Sequence, residues 1–109
     1  MLIKIKDADG IDQLVTVRGA ESIVDKSGVI AVTSLSQTAI AANPLRSGFF
    51  FQNNGSNNMW LSELADATND SPSIKIIPGE KFSSFSYPLI SSNIRVIGTV
   101  GDKYTAREW

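Results

Sequence analysis

Residues 46–63, RSGFFFQNNGSNNMWLSE, constrain the fold of this chain more than any other stretch. Phe49, Phe50 and Phe51 in succession project to both faces of an extended strand, so that strand is predicted to be covered on both sides. Asn54-Gly55 is the dipeptide that best tolerates positive φ, the backbone state of a tight hairpin turn. Met59, Trp60 and Leu61 then return as the partner strand. A buried hairpin of this kind sets the class as all-β and favours a role of shape and surface over catalysis.

The rest of the chain follows the same pattern. Residues 2–6 (LIKIK) and 14–18 (LVTVR) alternate apolar and polar side chains, as half-exposed strands do. With a turn at residues 7–10 they read as an N-terminal hairpin. Residues 20–26 fit one helical turn, stopped by Ser27 and Gly28. Strands are expected at residues 29–33 and, more weakly, 38–42, the latter ended by Asn43 and Pro44. Residues 46–61 supply the central pair, and residues 65–73 are polar without a period and read as a loop. A strand at 73–77 leads into Pro78-Gly79, a type II turn signal. Phe82, Phe85 and Tyr87 suit a kinked or bulged strand. Residues 93–97 and 104–109 are strands on either side of a glycine-punctuated turn. About nine short strands with turn signals every eight to twelve residues predict a small jelly-roll-like sandwich or barrel of antiparallel strands. At 109 residues the chain is one domain with a modest core. Residues 1–26 are read as a hairpin or arm and residues 27–109 as the sandwich module.

Composition narrows the function classes. Charged residues make up 19%, below the ~25% of an average soluble domain, and Ser, Thr, Asn and Gln take their place. Such a surface suits packing against copies of itself or against sugars, and it equally suits an ordinary β-rich domain. The net charge is −1 and there is no basic run, so no footprint for nucleic acid is present. With no cysteine and no histidine, disulfides, thiolate metal sites and Ser–His or Cys–His nucleophilic chemistry are excluded. The first ten residues lack an apolar core and cleavage site, and no run approaches the ~18 apolar residues of a membrane helix. The expectation is a soluble protein made in the cytoplasm, with no membrane partner.

Carboxylates are the remaining catalytic-type groups. Glu63, Asp66 and Asp70 fall between strands, and Asp7, Asp9 and Asp12 fall in the first turn. A glycosidase needs two carboxylates about 5 to 9.5 Å apart on rigid elements around a cleft, whereas both groups lie on predicted turns. The spacing of Asp7, Asp9 and Asp12 touches calcium-loop chemistry but lacks the bidentate Glu of an EF-hand. No enzyme activity, catalytic residue, cofactor or metal is expected. Trp60 and Trp109, beside an asparagine-rich loop holding Asn53, Asn54, Asn57 and Asn58, are either sugar platforms or, the favoured reading, core or interface anchors along with Phe49, Phe50 and Phe51. Arg46 and Arg107 precede or interrupt apolar strands, where a guanidinium can fork onto carbonyls or onto a carboxylate such as Glu108 or Glu63.

Taken together, NPLRSGFFFQNNGSNNMWLSE, SIKIIPGE and NIRVIGTVGDKYTAREW resemble a small module recurring among structural proteins of tailed bacteriophages. That module runs Asn-Pro-x-Arg, an apolar strand ending Gln-Asn, a polar turn, a second apolar strand, a Pro-Gly turn and a terminal strand ending Glu-Trp. Here the matching residues are Asn43, Pro44, Arg46, Phe49, Phe50, Phe51, Gln52, Asn53, Pro78, Gly79, Glu108 and Trp109, and the resemblance covers residues 29–109. It implies a non-enzymatic virion protein, a head decoration or cement protein bound to the major capsid protein, or else a carbohydrate- or host-surface-binding module of a fibre or tail adhesin. It carries over no catalytic residue. Two tryptophans, five phenylalanines and low surface charge add the expectation of a homo-oligomer, dimer or trimer. Residues 1–26, outside the module, are then the natural anchor, by arm exchange or strand addition, or two more strands of the same sandwich.

Overall fold

The computed structural model describes residues 23–84 and 90–109. Over these residues the protein is all-β, without a helix. The strands are β1 (Val24–Asp25), β2 (Gly28–Val29), β3 (Gln37–Ile40), β4 (Phe49–Asn53), β5 (Met59–Ser62), β6 (Ile74–Ile76), β7 (Lys81–Ser84), β8 (Ile94–Ile97) and β9 (Lys103–Glu108). They form two antiparallel sheets. The first has the order β1-β9-β4-β7, with β2 also on β9, and the second the order β3-β8-β5-β6. The N-terminal hairpin expected from residues 2–18, and Phe85 and Tyr87 of the expected bulged strand, lie outside the described residues. The helical turn expected over residues 20–26 gives way, in its described part, to β1 on the edge of the first sheet.

The central hairpin is corrected. β4 does not pair with β5: it lies between β9 and β7 in the first sheet, while β5 lies between β8 and β6 in the second. The segment between them is an arch that carries the chain from one sheet to the other. Asn54 and Gly55 also lack the positive φ of a hairpin turn. Gly55 serves a different need: a Cβ there would stand 2.5 Å from Cβ and Cγ of Asp102. The arch is thereby pressed onto the turn before β9, where the Asp102 carboxylate accepts the Asn57 N–H and Nδ2–H, each at 3.1 Å.

Between the sheets, alternation does the sorting. Phe49 and Phe51 of β4 point inward, 1% and 0% exposed, against Met59, Leu61, Ile76, Ile94 and Val96 of the second sheet. Phe51 stacks on Tyr104 with ring centroids 5.2 Å apart. Phe50 faces the other way and is half-buried, so β4 is covered fully on one face and only partly on the other. Each inward side chain of this size contributes roughly 1.5–3 kcal/mol by leaving water.

The Pro78-Gly79 turn forms as expected. Gly79 has φ +85° and the Glu80 N–H donates to Ile77 O at 2.9 Å, with Pro78 at the position where its fixed φ belongs. This turn also crosses between sheets, since β6 and β7 belong to different ones. A Cβ on Gly79 would meet nothing within 4 Å, so Gly79→Ala isolates the cost of the backbone conformation. Left-handed geometry costs an L-residue about 1–2 kcal/mol, partly offset by a stiffer unfolded chain. The expected outcome is a folded variant whose thermal midpoint drops by about 4–8 °C. An unchanged midpoint in a calorimetric scan would contradict the turn geometry.

Candidate functional site

Among the described residues, three places gather polar side chains, and each is set by strand register. The first is a buried arginine. Arg46 sits in the connection from β3 to β4 with its side chain fully covered. Its Nε–H donates to Glu108 Oε1 at 2.8 Å, Nη1 donates to Ile90 O at 2.7 Å and Ser92 O at 3.0 Å, and Nη2 donates to Ala41 O at 2.6 Å. Its carbon Cζ also stands 6.0 Å from the Phe49 ring centre. One guanidinium thus ties the end of β3, the approach to β8 and the last residue of β9. The planar fork suits this task, because its donors spread over several acceptors at once. The Glu108 carboxylate also takes Asn43 Nδ2–H at 3.4 Å and lies 3.7 Å from Lys26 Nζ. With its donors engaged, Arg46 is a structural rivet. Arg107, by contrast, is exposed and faces Asp25 in register. The Asp25 carboxyl is held below its ordinary value chiefly by the Ser27 hydroxyl and amide N–H, with a smaller contribution from the Arg107 charge.

The second place is a charged groove of about 170 Å³ lined by Glu63, Asp66, Ser92, Asn93 and Arg95 among others. Its opposite charges answer each other, Arg95 Nη1 meeting Asp66 Oδ1 at 3.1 Å. Asp70 is turned away to accept the Ser71 N–H. Among the described residues no three metal-type side chains converge, so Glu63, Asp66 and Asp70 do not form a donor set. Asp7, Asp9 and Asp12 lie outside the described residues.

The third place is a groove of about 140 Å³ on the outer face of the second sheet. Trp60 of β5 stands between Lys75 of β6 and Ile97 of β8, its direct cross-strand neighbours. Lys75 Nζ lies over the indole ring, 5.9 Å from its centre. On the β8 side the groove is walled by Thr33, Ser34, Gly98 and Thr99, with Asn58 and Asn69 also lining it. Ser34 has φ +61°, a conformation uncommon outside glycine, and its N–H donates to Gly98 O at 3.0 Å.

The residues singled out in the sequence separate accordingly. Trp60 is a half-buried groove wall on the outer face, outside the core. The ring of Trp109 packs on Gly48, where a Cβ would come within 2.9 Å of Cζ2. Of the four asparagines expected to face a ligand, three are engaged inside the protein. Asn53 is fully buried, donating to Asn57 O and Ile76 O and accepting the Gly55 N–H, each at 2.8 Å. Asn54 donates to Thr105 Oγ1 and Asn57 to Asp102. Asn58 alone reaches the groove. Thr33, Ser34, Asn69 and Thr99 come from distant loops; no local pattern marks them, because only the pairing of the strands brings those loops beside Trp60.

Comparisons with protein-family models, with curated proteins and with solved structures returned no match. The resemblance to phage structural modules therefore rests on the order of its own motif residues.

Proposed function

We propose that this chain is a non-enzymatic structural protein of a tailed-bacteriophage particle, a decoration or cement protein that attaches to the capsid surface in the virion. The observation that carries this reading is a set of exposed apolar side chains at the sandwich end around Arg46, beside the charged groove that Leu64 also lines. Among the described residues, Leu45 and Leu64 are the two most exposed large apolar side chains, at 73% and 71%. They sit in loops held to one segment: Arg46 donates to Ser92 O, and Ser92 Oγ donates to Glu63 O. Ile23 and Val24, also exposed, lie at the same end, since Val24 pairs with Glu108. Val29, Val32, Leu35, Ile77 and Val100 are exposed elsewhere, and scattered apolar residues need no explanation. What sets this end apart is that Leu45 and Leu64 are exposed furthest and lie in neighbouring loops, the arrangement of a contact surface. A lattice repeats such a contact many times, so a weak patch suffices for stable attachment. The motif order supports the same reading, because Arg46 near its start and Glu108 near its end form the rivet beneath that end.

Mass spectrometry of purified particles should find the protein at a copy number comparable to that of the major capsid protein. A handful of copies would favour a fibre or adhesin, and absence from particles would end the virion reading. Added to particles lacking it, the wild-type protein should co-sediment, and the double variant L45D/L64D should stay folded but remain in the supernatant. Co-sedimentation of the double variant would move the attachment surface elsewhere. Light scattering at micromolar concentration should return a dimer or trimer, and a monomer would count against self-association.

A further inference from the structure

The geometry points to the Trp60 groove as a binding subsite for one uncharged pyranose ring of a glycan. This does not rest on the capsid reading: the groove lies beside Ile97 at one end of β8, and Leu64 follows Ser62, which pairs with Arg95 toward the other.

Unspent hydrogen-bonding capacity marks the site. Seven asparagines occur in the chain, and Asn43, Asn53, Asn54, Asn57 and Asn93 each use their side chain in a hydrogen bond within the protein. Only Asn58 and Asn69 make none among the described residues, and both line this one groove. The hydroxyls of Ser34 and Thr99 and the indole N–H of Trp60 are likewise without a partner among the described residues. Thr33 Oγ1 accepts the Val100 N–H at 2.9 Å, which leaves its O–H to donate. Amides and hydroxyls both donate and accept, which is what a ring bearing several hydroxyls demands.

Shape and charge select the ligand class. The indole offers a flat apolar surface with a negative face, suited to the weakly positive C–H face of a sugar. None of the residues lining the groove is charged, so the lining itself offers no counter-charge to a uronate, a sialic acid or a phosphate; the nearest cation is Lys75, whose Nζ lies over the indole 5.9 Å from its centre. At about 140 Å³ the groove lies below the roughly 300–1,000 Å³ of drug-sized pockets and holds a single ring. The left-handed backbone at Ser34 is consistent with a built site, since strained residues cluster where ligands bind.

The test is a nuclear magnetic resonance titration of the full chain with methyl glycosides of glucose, galactose, mannose and N-acetylglucosamine. A ligand of about a dozen heavy atoms at ordinary efficiency reaches a Kd on the order of 1 mM. At least one glycoside should shift the Trp60 indole N–H and the side-chain amides of Asn58 and Asn69, leaving the amides of Asn53 and Asn57 in place. Asn58→Ala and Asn69→Ala, which touch no core contact, should each leave the thermal midpoint unchanged and weaken binding, and Trp60→Ala should weaken it by at least about tenfold. Absence of any shift far above about 1 mM, or shifts that persist in N58A/N69A, would overturn the assignment. So would perturbation of the same resonances by a tripeptide or by uridine monophosphate when no glycoside perturbs them.

Discussion

Phe51→Asp is expected to yield no folded protein, while Phe50→Asp, one residue away, is expected to fold and melt cooperatively. The two side chains leave β4 on opposite faces. Phe51 is 0% exposed, stacked on Tyr104 and flanked in register by Phe82 and Ala106. A carboxylate there has no partner within the core, and burying it costs several kcal/mol whether it stays charged or takes up a proton. That is comparable to the whole stability of a domain, about 5–15 kcal/mol. Phe50 is half-buried on the outer face, with Ser83 on one side and the exposed Arg107 on the other. An aspartate at position 50 would meet solvent and stand across from a guanidinium, so the loss is the apolar contact alone, about 1–2 kcal/mol. Soluble yield and a circular-dichroism melt of each variant decide the matter. A cooperative transition from Phe51→Asp would remove β4 from the core, and an insoluble Phe50→Asp would mean that the outer face of the first sheet is covered.

The contrast between Phe50 and Phe51 also shows how far the sequence could be read. Strand positions were legible because apolar runs and turn residues are local signals: β4, β5, β6, β8 and β9 fall where alternation places them, and Pro78-Gly79 turns as its chemistry requires. Pairing was not legible. Two apolar runs around Asn54-Gly55 look the same whether the chain doubles back within a sheet or arches over to the facing one. In a sandwich every strand buries one face, so both outcomes satisfy the same pattern. What decides here is non-local: Asn53 is drawn inward to Ile76 O, and the close contact of Gly55 with Asp102 ties the arch to a turn more than forty residues away. The same reason hid most of the Trp60 groove. Trp60 and Asn58 were singled out in the sequence, Trp60 foremost as a core or interface anchor, whereas Ser34, Asn69 and Thr99 join the groove only after β5 and β8 pair.

Arg46→Ala should cost about 3–5 kcal/mol, the usual penalty for removing one partner of a buried, hydrogen-bonded charge pair. The loss has two sources. Glu108 would keep its carboxylate at the buried end of β9 with only the amide of Asn43 at 3.4 Å and the distant ammonium of Lys26 to answer it. The carbonyls of Ala41, Ile90 and Ser92 would lose their donor together, and unsatisfied buried acceptors carry their own desolvation penalty. Arg46→Lys keeps the charge but brings one ammonium where the fork reaches four acceptors, so it should rescue only part of the loss. The apolar replacement Arg46→Met combined with Glu108→Gln removes both charges at once and should be less damaging than Arg46→Met alone, because no unpaired ion remains. Chemical denaturation of the three single variants, R46A, R46K and R46M, and of the R46M/E108Q double variant measures this ordering. If Arg46→Ala lost less than about 1 kcal/mol, the range of an exposed ion pair, the guanidinium would be solvated and the rivet beneath the apolar end would not exist. If R46M/E108Q were as unstable as Arg46→Met, the lost carbonyl contacts would outweigh the stranded carboxylate.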